Sequence, residues 1–225
     1  MTKHIPVIFD LDGTLVDTLP DIRTSLDMAV KSLEVDAAQN FPVSKFVGGG
    51  VDAMIAAASR FYGIEDIEKL NAAYREIYET NCALESCIYP GIRKLLESLK
   101  KSGAKLAILT NKEEFLARRI AEKLFATETF DIICGATPGR KLKPSTEGID
   151  WIFNEFGVDA SAACYIGDTC IDMKTGRDSG AHVFAVTWGY GDLRDLEPSA
   201  SERTCNSTIE LLSCLESLNR KINRH

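Results

Sequence analysis

Asp10 and Asp12 close the run Val7-Ile8-Phe9-Asp10-Leu11-Asp12-Gly13, which is otherwise fit for a buried strand. The β-branched and aromatic residues make Val7 to Phe9 a strand, and Asp-Gly at 12 and 13 signals a turn that ends it. A turn accounts for Asp12 but leaves Asp10 unexplained. In an extended segment residues i and i+2 point the same way, which places both carboxylates on one side of the strand end. Two negative charges so close need compensation. A divalent cation with oxygen ligands supplies it, Mg2+ being the usual one where phosphates are also bound.

Four further apolar runs read as buried parallel strands: KLAILT (105–110), DIICG (131–135), ACYIG (163–167) and HVFAVTWG (182–189). Between them lie helical patterns, three of which end at Gly103, Gly157 and Gly180, a glycine just past a helix being a stop signal. Strand alternating with helix predicts an α/β fold with a doubly wound parallel sheet, to which Val7–Asp10 adds a strand. Residues 18–87 break that alternation. Pro20 suits a first helical turn, and VDAMIAAASRFYG and IEKLNAAYREIYETNCAL carry apolar residues at helical spacing. The predicted organisation is a core of residues 1–17 and 88–225, with 18–87 inserted after the first strand as a helical cap domain. Gly48 to Gly50 fit neither a dinucleotide fingerprint nor a phosphate loop, and read as a flexible entry to a helix. After Gly191 the pattern predicts a loop and a last amphipathic helix.

In an open parallel sheet, ligands bind beyond the carboxyl ends of the strands, where the strand order reverses. The unusual polar residues fall at those ends: Asp10 and Asp12, then Thr110, Asn111 and Lys112, then Lys143, then Asp168 and Asp172. Each has an ordinary explanation alone. Thr110 and Asn111 suit a helix cap, Lys143 a solvated loop, Asp168 a turn, and Asp172 an N-cap. Collected on one rim, they suit phosphoryl transfer, in which protein groups chiefly position the reactants and neutralise charge. Mg2+ would bridge Asp10 and Asp168 to a phosphate whose other oxygens rest on Lys143, Thr110 and Asn111. One leading aspartate can attack to form an aspartyl phosphate, while the other serves as acid and then as base.

Composition narrows the class. The chain has 225 residues, 45% hydrophobic, enough for a sizeable core. A net charge of −7 argues against a nucleic-acid or anionic-membrane surface. The first apolar run is too short for a signal peptide and no stretch has transmembrane length, so a cytoplasmic protein is expected. Seven cysteines, with no CxxC pair, read as reduced thiols, mostly buried, with Cys170 a small filler in a tight turn. Three histidines, His4, His182 and His225, lie at a terminus or at the start of an apolar run, so the chemistry falls to carboxylates.

DLDGTLVDT, ILTNK, Lys143-Pro144 and IGDTCIDM together resemble the four ordered motifs of the haloacid dehalogenase superfamily. The likeness spans nearly the whole chain, and the helical block is similar to the family's cap of the type inserted after the first strand. TNK (110–112) with TWGYG (187–191) most resembles the phosphoglycolate phosphatase branch. The resemblance implies that Asp10 is the nucleophile and Asp12 the general acid/base. It implies Mg2+ on Asp10, the main-chain carbonyl of Asp12 and Asp168, with Asp172 in support, and phosphate on Thr110, Asn111 and Lys143. Relatives that cleave other bonds lack an aspartate at the place of Asp12. Thr146 stands where relatives often have a second proline, and Gly176 where they often have alanine, at roughly 1 kcal/mol of helix propensity.

The expected activity is hydrolysis of a small phosphomonoester, phosphoglycolate-like, by a monomer or homodimer acting on a phosphorylated metabolite. A β-phosphoglucomutase-like phosphomutase shares the same residues, as would a pyrophosphatase or nucleotidase of the family. A noncatalytic binding module would be expected to have lost Asp10, Asp12 or Asp168. Lys45, Arg60 and the Gly48–Gly50 loop are candidates for setting specificity.

Overall fold

The structure, a computed structural model, describes residues 4–37, 40–192 and 203–223. Six parallel strands form one sheet: β1 (Val7–Phe9), β4 (Leu106–Glu113), β5 (Ile132–Ala136), β6 (Cys164–Gly167), β7 (His182–Val186) and β8 (Arg203–Cys205), in the order β5-β4-β1-β6-β7-β8. The chain starts at β1, builds outward through β4 and β5, then returns to β6 on the other side of β1. The strand order therefore reverses at β1, and a crevice opens at its carboxyl end.

Both faces are covered, which explains the continuous apolar runs. Val7 and Phe9 face the helices α4 (Ile92–Lys101), α5 (Glu114–Leu124) and α8 (Thr208–Ile222), while Ile8 faces α6 (Glu147–Phe156). Helix α7 (Cys170–Ser179) lies on β6 and β7, with Met173 against Val183 and Ala185. It lies so close that a side chain at Gly176 would come within 2.5 Å of Val183 and 3.1 Å of Tyr165. The helix propensity given up at Gly176 thus permits this approach.

Three helices interrupt the alternation, α1 (Leu19–Ser32), α2 (Val51–Tyr62) and α3 (Ile67–Asn81), with a short 3₁₀ turn at Val43–Phe46. The chain leaves through the two-residue β2 (Val16–Asp17) and returns through β3 (Cys87–Ile88), which pair antiparallel. Asp21, buried in the first turn of α1, ties exit to return by accepting hydrogen bonds from Glu85 N (2.8 Å), Ser86 N (2.9 Å) and Ser86 Oγ.

The structure differs from expectation at the ends of the sheet. The run 182–189 stops as a strand at Val186, and its last residues turn toward the crevice. Where a loop was expected, Arg203–Cys205 adds β8 at the edge, three residues with one buried side chain and no apolar run to announce them. Residues 193–202 of that expected loop lie outside the described residues. Of the cysteines, 82, 134, 164 and 205 are buried as expected, but Cys170 is exposed at the start of α7 rather than filling a turn.

Asp21→Ala strands three donors from residues 85 and 86. It should cost about 2–4 kcal/mol in urea denaturation, whereas Thr24→Ala, on the exposed side of α1, should stay within about 0.5 kcal/mol.

Candidate active site

Lys143 stands at the centre of the crevice. Its Nζ lies 2.8 Å from Asp10 Oδ1 and 2.7 Å from Asp172 Oδ1. It also donates to the Tyr165 hydroxyl (3.0 Å) and the Leu109 carbonyl (3.3 Å). All these groups are buried. Asp172 is saturated. Its Oδ1 also accepts from the Tyr165 hydroxyl (2.7 Å), and its Oδ2 from Thr169 N (3.0 Å) and Thr169 Oγ1 (2.6 Å). The bond from Thr169 N, with Asp172 N donating in return to Thr169 Oγ1 (3.4 Å), makes Asp172 the third residue of a capping box rather than the N-cap, which is Thr169. Asp10 differs: its Oδ1 meets Lys143 at ion-pair distance but makes no hydrogen bond.

Asp168 is gripped from two sides, by Thr14 Oγ1 (2.8 Å) and Tyr190 N (2.8 Å). The second contact explains part of the TWGYG run. A side chain at Gly189 would fall 2.2 Å from Asp168 Oδ2 and 2.3 Å from the Gly13 carbonyl, so only glycine lets this loop close over the aspartate.

Asp12 points elsewhere. Its Oδ1 accepts from Thr18 Oγ1 (2.6 Å), and its Oδ2 pairs with Lys112 Nζ at 2.9 Å. Thr18 precedes α1 and would ordinarily cap it. With its hydroxyl committed to Asp12, the Tyr190 hydroxyl takes over, accepting from Thr18 N (2.7 Å) and Leu19 N (3.0 Å) and donating to Asp17 Oδ1 (2.8 Å). The loop after β7 therefore fixes both Asp168 and the start of the inserted helices.

The residues 110–112 lie where the pairing of β4 with β5 loses register, between Leu109 and Glu113. Thr110 is buried at the crevice. The Asn111 side chain is used up: Nδ2 donates to the Gly48 (2.8 Å) and Lys143 (3.0 Å) carbonyls, and Oδ1 accepts from Lys143 N (2.7 Å). It shapes the lysine loop. Neither residue caps the next helix, whose N-cap is Glu113.

Burial of so many acids shifts their titration. Desolvation pushes the Asp10 carboxyl well above its ordinary value, against the pull of Lys143, and neighbouring Asp172 and Asp168 push the same way. Burial, then Asp172, raises Asp168 to about 6. Burial would raise Asp172 too, but Lys143 and the bonds from Thr169 and Tyr165 hold it below the ordinary value. Lys143 is raised, its desolvation outweighed by Asp10 and Asp172. One ammonium does not balance three carboxylates. Oxygens of Asp10, Asp168 and Asp172 lie within 4.8 Å of one another. With the under-bonded Asp10 Oδ1, this donor set fits a hard divalent cation, which would supply the missing charge.

Between this cluster and the inserted helices lies a cavity of about 60 Å³. Asp10, Asp12, Thr110, Asn111 and Lys112 line one side, and Gly48, Gly50, Met54, Tyr74 and Tyr78 the other. Lys45 and Arg60, expected as specificity candidates, do not line it, whereas the glycine loop does. Sequence reasoning passed over Tyr165, Tyr78, Thr14 and Thr18 and assigned no role to Lys112. Tyr165 and Tyr78 read as core aromatics, and only the hydroxyls of the DGTLVDT run offered a signal.

A model of the haloacid dehalogenase-like hydrolases matches residues 7–186, and the chain belongs to that family. It is 34% identical over 200 residues to a phosphoglycolate phosphatase of Mesorhizobium japonicum, covering 86% of this chain and 88% of the relative. To a phosphoglycolate phosphatase of Aquifex aeolicus it is 30% identical over 206 residues, covering 92% and 95%. The fold matches the crystal structure of a predicted phosphoglycolate phosphatase from Haemophilus somnus 129pt with a TM-score of 0.87 and 25% identity, over 95% of this chain and 99% of that one. No helix among the described residues is long and apolar enough to cross a membrane.

The charge imbalance makes a prediction. With its carboxyl raised from 3.8 to about 6, folded Asp168 holds more proton than the unfolded chain across that window, so metal-free stability falls as pH rises through it. Asp168→Asn escapes this penalty. At pH 8 without metal it should be more stable than the native protein by on the order of 1–2 kcal/mol. The gap should shrink as pH falls through about 6, close near pH 3.8 and below, and reverse when Mg2+ is added, as read by thermal melts.

Proposed function

We propose that this chain is a Mg2+-dependent phosphatase that hydrolyses a small phosphomonoester, phosphoglycolate-like, through an aspartyl phosphate on Asp10. The observation that carries the reading is the buried Asp10 carboxylate, held by Lys143 yet short of hydrogen bonds, at the switch point of the sheet. The names of the two relatives support the substrate class.

Asp10 attacks phosphorus through a carboxylate oxygen as the bond to the leaving oxygen breaks, and Asp12 gives that oxygen its proton. Asp12 then takes a proton from the water that attacks the aspartyl phosphate, which releases phosphate and restores Asp10. Mg2+, held by Asp10, Asp168 and the carbonyl of Asp12, would neutralise the phosphoryl oxygens. Asp172, its oxygens already occupied, acts in support by orienting Lys143. Lys143, through its charge beside Asp10, and the Thr110 hydroxyl would hold the phosphate, while Asn111, its side chain committed, would serve through the backbone and through the lysine loop it shapes.

Residues 18–87 act as a cap domain over the core of 1–17 and 88–225. The small cavity beneath them favours a short ester over the phosphosugar a β-phosphoglucomutase-like enzyme must hold. A cytoplasmic monomer or homodimer acting on a small metabolite, without nucleic acid or membrane, is consistent with this reading.

Phosphate release from phosphoglycolate, p-nitrophenyl phosphate, a hexose phosphate, a nucleotide and pyrophosphate tests it. The native protein should act on phosphoglycolate, stop on chelation and recover with Mg2+. Asp10→Asn should lose at least ~1,000-fold in kcat. Undiminished turnover by that variant would refute the nucleophile.

A further inference from the structure

The phosphoryl end of the crevice is crowded with charge, whereas the wall beneath the inserted helices is mostly apolar and aromatic: Ile22, Phe46, Met54, Tyr74 and Tyr78. Two polar groups break that wall. Lys112, with its side chain only 7% exposed, is the one cationic side chain among the described residues that line the cavity. One of its three donors meets Asp12, and its Nζ lies 4.9 Å from the centre of the Tyr78 ring. Tyr78 is buried, stacked on Tyr74 with ring centres 5.4 Å apart, and its hydroxyl has no hydrogen-bond partner among the described residues. Desolvation, reinforced by Asp12, raises its pKa well above the ordinary phenol value, so the hydroxyl stays a donor.

A buried hydroxyl without a partner destabilises the fold, and the Lys112 ammonium, with one donor on Asp12, keeps two more for a further acceptor. Both lie where the part of the substrate beyond the phosphoryl group must sit. We propose that Lys112 and Tyr78 form the subsite that takes the carboxylate on the leaving group of a phosphoglycolate-like ester and so set the preference for it. The space fits: about 60 Å³ holds a handful of heavy atoms, as in a two- or three-carbon acid. The carboxylate would accept a charge-assisted bond from Lys112 and a second from Tyr78, satisfying the stranded hydroxyl.

The inference rests on the phosphatase reading, so its test must separate the two. 2-Phosphoglycolate and 2-hydroxyethyl phosphate differ by a carboxylate against a neutral hydroxymethyl group. The native protein should favour the acid by roughly 10- to 100-fold in kcat/KM, the worth of a hydrogen bond to a charged group. In Lys112→Met that preference should collapse, mostly through KM. Tyr78→Phe should lower it several-fold while melting at or above the native temperature, because it deletes a hydroxyl that is unpaired in the free protein. A purely structural tyrosine would leave the preference unmoved. If Lys112→Met depresses both substrates equally, Lys112 serves Asp12 or the phosphate and the subsite is refuted; equal use of both esters by the native protein refutes it while leaving the phosphatase intact. Calorimetric binding of the two esters to Asp10→Asn, which needs no turnover, covers the remaining case. A Lys112-dependent preference for the acid there, with no hydrolysis by the native protein, would overturn the phosphatase and keep the subsite.

Discussion

Three buried carboxylates share one buried ammonium, and most of the site follows from that imbalance. Lys143 cannot serve Asp10, Asp168 and Asp172 equally, and the protein divides the burden by chemistry. Asp172 receives the lysine, a phenol, a hydroxyl and a backbone N–H, which hold it ionised. Asp168 receives a hydroxyl and a backbone N–H and stays raised; Asp10 receives the lysine alone and burial raises it too. The least satisfied oxygens therefore belong to Asp10 and Asp168. An arrangement that leaves negative charge underpaid in the free protein is what a cation site requires, since full satisfaction by protein donors would leave nothing for a metal to gain.

Holding such a cluster together falls to the backbone as much as to side chains. Asp10 follows β1, Lys143 is fixed by Asn111 from the end of β4, Asp168 and Asp172 follow β6, and the loop after β7 reaches back to both Asp168 and α1. Tyr190 is the clearest case. Its N–H grips Asp168 while its hydroxyl replaces the cap that Thr18 gave up in order to hold Asp12. Loss of one bond in this chain would therefore disturb acids from two strands at once.

The strands, the helices and the rim of acids were legible because each carries a local pattern: continuous apolar runs, helical spacing, terminal glycines. What stayed hidden depends on partners far along the chain. The two-residue strands β2 and β3 and the three-residue β8 are too short to show a period. Tyr165 sits in an apolar strand and looks like core until Lys143 and Asp172 reach its hydroxyl from elsewhere. Asn111 read as a phosphate ligand because its type and place allow it, and only the folded chain shows its amide spent on Gly48 and Lys143. Gly176 looked like a propensity cost and Gly189 like the end of a strand, and both became necessary once Val183 and Asp168 were found against them.

The end of β4 joins these two levels. Of its four consecutive residues, Asn111 donates to Gly48, Lys112 lies against Tyr78, and Glu113 pairs with Arg75 on α3. Arg119 on α5 adds a bond to the Glu79 carbonyl. The inserted helices are thus tied to the core in part through a segment whose residues Thr110 and Asn111 line the cavity. The pairs are part-buried, so each contributes little by itself. Their position matters more than their strength. Any displacement of α3 must pull on Lys112 and Glu113, and hence on the ammonium that faces Asp12. Placement of the inserted helices and geometry of Asp12 are therefore coupled through residues 110–113 at one strand end.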